Sequence, residues 1–296
     1  MPSVNETALK NHVKFLSEND RTSESGQEIV VNYILEELEK NGIDSKNIEI
    51  QKYLVNKRWY KNIIVHFTES KREGLFIPKY IIGGHYDAYG GLPGADDNAS
   101  AIAGLLEISR ILNEIKHYSG RDIDLVFYST EEPPFFDTEN MGSFQHAKNA
   151  KNVSLVLVLE MIGYFSEKEN SQDFPLSILK YFYPTKGNFI TIVSNFENLS
   201  ITRKVKSRFE AFLSRNEIIE VESINALSSV PGIDFSDHRN YWKFDIPAVM
   251  ITDTAFYRNK NYHTQHDTYE KLDYKKMKEV VEATVFTLFS LENKVL

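Results

Sequence analysis

GGHYDAYGGLPGADD, residues 83–97, follows the apolar run Tyr80-Ile81-Ile82. That run reads as a buried strand, and it breaks into two glycines, His85 and Asp87. A loop with little side-chain bulk then delivers Asp96 and Asp97, and Asn98-Ala99-Ser100 opens a helical pattern. An imidazole and carboxylates are thus brought to one rim of a sheet, where α/β proteins commonly build ligand and metal sites.

Outward from this stretch, apolar periodicity predicts helices at 5–18 and 27–41, the second with Ile29, Val30, Tyr33, Ile34 and Leu38 in phase and Gly42 as C-cap. Strands follow at 48–53 and 62–67, and Ala/Gly/Leu-rich 99–115 is a helix suited to close packing on a sheet. DLVFYS, 124–129, is a buried strand ending at Thr130-Glu131-Glu132-Pro133-Pro134. A short helix at 141–150 leads to SLVLVL, 154–159, a second buried strand, which ends at Glu160. Polar, Pro/Gly-punctuated 166–188 reads as a surface excursion, long enough for a lid or an oligomer contact. A strand at 189–194, a helix at 200–214, a loop at 225–237, a strand at 246–252 and a final helix capped by Asp273 complete the pattern. Four strands are continuous apolar runs, as expected when both faces are covered. The expected fold class is α/β, a three-layer helix–sheet–helix architecture, with residues 1–296 as a single domain.

A chain of 296 residues, 42% hydrophobic, can bury a sizeable core. With 34 basic and 42 acidic residues and no long basic run, nucleic acid is excluded as an expected partner. There is no cysteine, so any metal must sit on His, Asp and Glu. No basic segment followed by an apolar run opens the chain, so a cytoplasmic location is expected of the sequence as given, and export only if its N-terminus had been trimmed. No apolar run is long enough to cross a membrane, and nothing in the composition speaks to oligomeric state.

His85, Glu131-Glu132, Glu160 and His263 fall at or beyond the ends of predicted core strands, and Asp97 joins them from the loop after the first. One strand-end carboxylate usually just faces solvent; several buried together need pairing or a metal. Two imidazoles and three or four carboxylates exceed the roughly three protein ligands of one catalytic zinc. They suit two ions about 3.5–4 Å apart that share a bridging carboxylate and a water. Imidazoles favour zinc, and manganese or cobalt also suit such donors. Successive side chains of an extended segment point to opposite sides, so Glu131 can face the bridging water while Glu132 grips a metal.

GGHYDA, GADDNASA, STEEPP, LEMIGYF and NYHTQHDTYEKLDY, in this order, resemble the zinc exopeptidase family of the bacterial leucyl aminopeptidases. That family also holds glutamate carboxypeptidase and the animal glutaminyl cyclases. The resemblance spans about residues 5–290, and five motifs in order are far more specific than His-x-Asp or Glu-Glu alone. It implies a phosphorylase/hydrolase-like fold around a central, mostly parallel mixed sheet. It implies His85, Asp97, Glu132, Glu160 and His263 as ligands of two Zn2+ ions, with Asp97 bridging both. Glu131 is then the general base, Asp87 the carboxylate that orients His85, and Tyr262 a support for the oxyanion. The implied reaction is metal-dependent hydrolysis of the N-terminal bond of a peptide or aminoacyl substrate. Alternatives are a carboxypeptidase or dipeptidase on the same site, a single-zinc glutaminyl cyclase, and a non-catalytic peptidase-fold binding protein. Glu160 departs from the aspartate of many members; Asp97 rather than Asp96 is chosen because it directly precedes Asn-Ala-Ser.

Other residues are read as structural. His238, in SDHRNYW, is expected to make a structural hydrogen bond, and His266 to lie in a loop. Arg258 is expected to pair with a carboxylate, although it and Arg239 are the candidates for gripping a substrate carboxylate. Phe135, Phe136, Tyr164, Phe165, Phe235 and Tyr241 fall in predicted rim loops and suggest, weakly, an apolar first side chain in the substrate.

Overall fold

Eight strands join one sheet in the computed structural model, which describes residues 2–68, 77–118, 120–216 and 218–291. In chain order the elements are α1 (Glu6–Glu18), α2 (Glu24–Lys40), β1 (Ile48–Val55), β2 (Arg58–Phe67), β3 (Lys79–His85), α3 (Ala101–Ile115), β4 (Asp122–Tyr128), α4 (Gly142–Ala147), β5 (Val153–Glu160), β6 (Phe189–Ser194), α5 (Leu199–Leu213), β7 (Glu220–Asn225), α6 (His238–Trp242), β8 (Ala248–Thr252) and α7 (Tyr274–Ser290). The sheet order is β1-β2-β4-β3-β5-β8-β6-β7. Its centre, β4-β3-β5-β8, is parallel, so four carboxyl ends share one rim. β1 and β2 run antiparallel at one edge, and β6 is antiparallel to β8 with β7 parallel beside it. The α/β fold with a mixed, mostly parallel sheet is the expected one.

The centre is parallel because its strands are apolar on both faces. Ile82, Leu125 and Leu157 pack toward α1, α2, α3, α5 and α7, against residues such as Leu16, Ile34, Leu106 and Val281. Their neighbours Ile81, Val126 and Val156 point the other way, toward Ala147 of α4 and Tyr241 of α6. Gly84 lets α3 approach closely: a Cβ there would lie 3.0 Å from the Ala101 Cβ and 3.1 Å from the Leu159 carbonyl. Asp273 caps α7 as expected, accepting from the Lys276 N–H. No described helix is long and apolar enough to cross a membrane.

Residues 220–225, for which no element is expected, form β7; as an edge strand with one buried residue, Val221, it carries no apolar run to announce it. One expectation changes. The 166–188 excursion is not a free surface loop. Its inner residues Phe174, Leu179 and Tyr183 help wall a pocket against β6 and β8, and the Tyr183 hydroxyl donates to the Ser223 carbonyl.

Candidate metal centre

The candidate side chains reach the rim from four strand ends. β3 delivers His85, β5 delivers Glu160, the turn after β4 carries Glu131 and Glu132, and the loop after β8 carries His263. The backbone bends sharply here: Thr130, Met161, Thr254 and His263 all take positive φ, a conformation that side chains bearing Cβ adopt rarely and mostly at functional turns. The loop bearing Asp97 is held from outside itself. Arg21, fully buried, donates from Nη2 to the carbonyls of Pro93 (2.8 Å), Gly94 (2.5 Å) and Asp97 (3.3 Å). The Asp267 carboxylate accepts the N–H groups of Asp96 and Asp97, each at 3.1 Å. Gly94 sits at φ 51°, and a Cβ there would meet the Asp97 carbonyl and Arg21.

Two donor groups result, His85–Asp97–Glu160 and Asp97–Glu132–His263, with the ligand atoms of each within 4.8 Å of one another. Asp97 belongs to both. Its Oδ1 lies 3.4 Å from His85 Nε2 and its Oδ2 3.0 Å from His263 Nε2. Glu160 Oε2 is 3.5 Å from His85 Nε2, and Glu132 Oε2 is 3.3 Å from His263 Nε2. The paired glutamates diverge: Glu131 Oε2 points toward His85, 3.9 Å from its Nε2, while Glu132 faces His263. Asp87 stands behind both features. Its Oδ1 is 3.4 Å from His85 Nδ1, and its two oxygens accept the N–H groups of Glu131 and Glu132. Asp96 turns away, accepting from the Gly163 N–H and the Asn259 side chain. Glu160 is braced by Ser236 Oγ at 2.6 Å and Asn98 Nδ2 at 3.3 Å.

The electrostatics mark the cluster as incomplete without a cation. Burial pushes the Glu132 carboxyl up to about 8, with the Asp97 charge adding to it. Burial also raises Glu131, well above its ordinary range, and Glu160. Burial pushes Asp97 up as well, yet the His263 and His85 rings beside its two oxygens hold it below the ordinary carboxylate range. Both ring nitrogens of His85, Nε2 of His263 and Oε1 of Glu132 are buried with no hydrogen-bond partner. Orphaned imidazole and carboxylate atoms converging in a dry site fit a divalent metal, and an all-N/O donor set fits zinc or its borderline neighbours.

The model of peptidase family M28 matches residues 62–288. This chain belongs to that family. Among curated relatives, Uncharacterized protein YfbL of Escherichia coli (strain K12) is 44% identical over 240 residues, 78% of this chain and 71% of that protein. Leucine aminopeptidase 1 of Emericella nidulans is 24% identical over 259 residues, 84% of this chain but 58% of its own length. Among solved structures, the Legionella pneumophila LapA aminopeptidase superposes with a TM-score of 0.71 at 19% identity, covering 98% of this chain and 73% of that one. Tannerella forsythia glutaminyl cyclase does so at 0.68 and 19%, over 98% and 100%. These superpositions share the fold, and both activities occur on it.

Beside the centre of this M28-family chain lies a pocket whose empty volume, mouth included, is about 810 Å³. Glu160 and Tyr262 line it together with Phe174, Phe189, Met250 and Phe256. Tyr262 stacks on His263, ring centroids 3.8 Å apart, and burial with the charge of Asp97 keeps its phenol protonated. Of the six aromatics expected around the site, only Phe235 lines the pocket. Tyr241 is instead fully buried on α6, bonded to Tyr128 and His146, because a short helix rather than a loop carries it. Arg258 pairs with no carboxylate at salt-bridge distance among the described residues. It is buried over the Phe189 ring, 4.5 Å to the centroid, and donates to Gln172 and the Tyr164 carbonyl, pinning the excursion. His238 bonds the Ile233 carbonyl, and His266 is an exposed loop residue. Reading the sequence missed Arg21, Asn98, Asp267 and Asp237. Asp237 is fully buried, within electrostatic reach of His85 and Glu160, and burial raises it to about 7. Only its place in SDHRNYW, beside His238, could have pointed to it.

Proposed function

We propose that this M28 peptidase is a di-zinc aminopeptidase, residues 1–296 acting as one catalytic unit. The observation that carries the reading is Asp97, whose two oxygens face two separate donor groups. His85 and Glu160 would hold one ion, Glu132 and His263 the other, and Asp97 both. Zinc bound there would supply Lewis acidity, lowering the pKa of a bound water toward neutrality and polarising the scissile carbonyl. Glu131 takes a proton from the attacking water and passes it to the leaving amine nitrogen. The Tyr262 phenol, held protonated, donates to the carbonyl oxygen as charge develops there. Asp87 keeps the His85 ring and the Glu131-Glu132 backbone in register.

The pocket favours the amine end of a substrate over the carboxyl end. Among its described lining residues there is no lysine or arginine to meet a carboxylate. Arg258 does not line the pocket and bonds Gln172 and the Tyr164 carbonyl through Nε and Nη1, with Nη2 left unpartnered, and Arg239 is paired with Asp137 and Asp234. An apolar first side chain fits the walls.

The test uses zinc-loaded protein, aminoacyl-anilides and their N-acetylated counterparts, with metal content measured on the same sample. Cleavage of free-amine substrates alone, abolished by a chelator and restored by zinc, with two ions per chain, is the expected result. Cleavage of acetylated substrates would overturn the aminopeptidase reading. Cyclisation of an N-terminal glutamine with one ion per chain would replace it with the cyclase one.

A further inference from the structure

The pocket walls are largely apolar, and one buried polar atom on them lacks a partner. Thr191 lines the pocket, is 4% exposed, and its Oγ1 has no hydrogen-bond partner. Among the described lining residues it is the one buried side-chain polar atom left without a partner. Several others are committed. Thr252 Oγ1 accepts the Thr254 N–H, the Gln172 amide donates to Asp173 and Thr254, and the Tyr183 and Tyr257 hydroxyls donate to the Ser223 and Pro231 carbonyls.

Strand register places this hydroxyl relative to the centre. Glu160 of β5 pairs with Thr252 of β8, and Thr252 pairs with Thr191 of β6. Directly paired residues share a face, so the three form a row across the sheet. Two strand spacings put the Thr191 backbone ~10 Å from that of Glu160. Val193 and Met250 continue the floor with apolar groups. A side chain entering from the metal centre therefore passes Thr252, whose Oγ1 already accepts the Thr254 N–H, and reaches the unpartnered Thr191 hydroxyl beyond it.

We propose that Thr191 hydrogen-bonds the polar tip of the substrate's first side chain, and that the pocket selects aromatic residues ending in a hydroxyl, tyrosine above phenylalanine. This rests on the aminopeptidase reading. A buried hydroxyl left unpartnered costs free energy, so a site carrying one discriminates against the isostere that leaves it so.

The experiment compares tyrosyl- and phenylalanyl-anilide hydrolysis by zinc-loaded wild type, Thr191→Val and Thr191→Ser. Binding of tyramine and phenethylamine is measured by calorimetry on the same proteins. We expect wild type to prefer tyrosine by about tenfold or more in kcat/KM. Thr191→Val should erase the preference by slowing the tyrosyl substrate alone, and Thr191→Ser should retain it. A tyrosine-to-phenylalanine ratio at or below one in wild type, or one unchanged in Thr191→Val, overturns the inference. If neither anilide is cleaved but tyramine binds tighter than phenethylamine only when residue 191 carries a hydroxyl, the aminopeptidase reading fails and the pocket assignment stands. If neither amine is distinguished in that case, both fail.

Discussion

The two ends of the parallel strands treat buried charge in opposite ways. At the amino ends of β3 and β4, Asp124 is 4% exposed and fully answered within the chain: Lys79 Nζ lies 2.6 Å from one oxygen and His66 Nδ1 2.8 Å from the other. At the carboxyl ends, the carboxylates of Asp97, Glu131, Glu132 and Glu160 gather with two imidazoles. No described lysine or arginine comes within salt-bridge distance of them. Arg21, a buried cation under the same loop, donates from Nη2 to backbone carbonyls rather than to these carboxylates. Removing a charge from water is costly in either place. One end closes its own circuit, whereas the other needs a cation from outside, and that asymmetry marks the functional rim more firmly than any single residue there.

The asymmetry is sharpest between adjacent glutamates. Glu131→Gln keeps both donor groups and removes the base, so hydrolysis should fall by roughly 10²–10⁴-fold with metal content unchanged. Glu132→Ala opens one donor group, and metal should be lost with activity. Stability should fall by the binding contribution, about 4 kcal/mol if free metal stands a thousandfold above its Kd. Metal analysis, anilide kinetics and thermal unfolding on the two variants check this. Full metal occupancy in Glu132→Ala would erase the contrast between the ends of the sheet.

The parts of this rim that the sequence reveals are those tied to strong local patterns. His85, Glu131-Glu132 and Glu160 follow continuous apolar strands, so period and burial locate them. Their supports follow no pattern. Arg21 sits between α1 and α2 and reaches a loop some seventy positions away, as its bond to the Gly94 carbonyl shows. Asp267 and Asn98 act through backbone groups of distant segments. Such bonds depend on tertiary placement, which neither spacing nor propensity encodes. The same holds for β7, an edge strand whose polar residues carry no periodic signal, and for Arg258, whose partners are aromatic faces and amides rather than the expected carboxylate.

Imidazoles extend the contrast. At the rim, burial opposes a charge on His263, yet Asp97 and Glu132 raise it to about 9. Away from the rim, burial lowers His146 to about 4, the ring being bonded to the Tyr241 hydroxyl. Its folded pKa lies below the ordinary 6.5, so the neutral ring stabilises the fold above 6.5, and that stability drains away as pH falls from 6.5 toward 4. At roughly 1.4 kcal/mol per pKa unit the loss is about 3 kcal/mol. Other groups titrate in this window. The quantity to measure is therefore the unfolding free-energy difference between wild type and His146→Gln at several pH values, where those groups cancel. The difference should shrink toward pH 4; a constant difference would mean His146 is not held neutral.

The smallest effect tests the closed end. Lys79→Met removes one partner of Asp124 and leaves His66, so the carboxylate stays half answered. Lys79 is partly exposed, which limits the loss to about 1–2 kcal/mol. The hydrogen bond that His66 Nδ1 donates to Asp124 raises the His66 pKa against its burial. The charged ring therefore stabilises the fold fully below 6.5, and this contribution is lost as pH rises through the folded value. In the variant, His66 is the remaining countercharge, so its destabilisation should be smaller at pH 6 than at pH 8. Metal content and kcat should not move, because the charges at this end are answered without reference to the rim. A loss of bound metal in Lys79→Met would show that the two ends share one electrostatic balance after all, with charge removed at the amino ends of β3 and β4 felt by Asp97 and its neighbours.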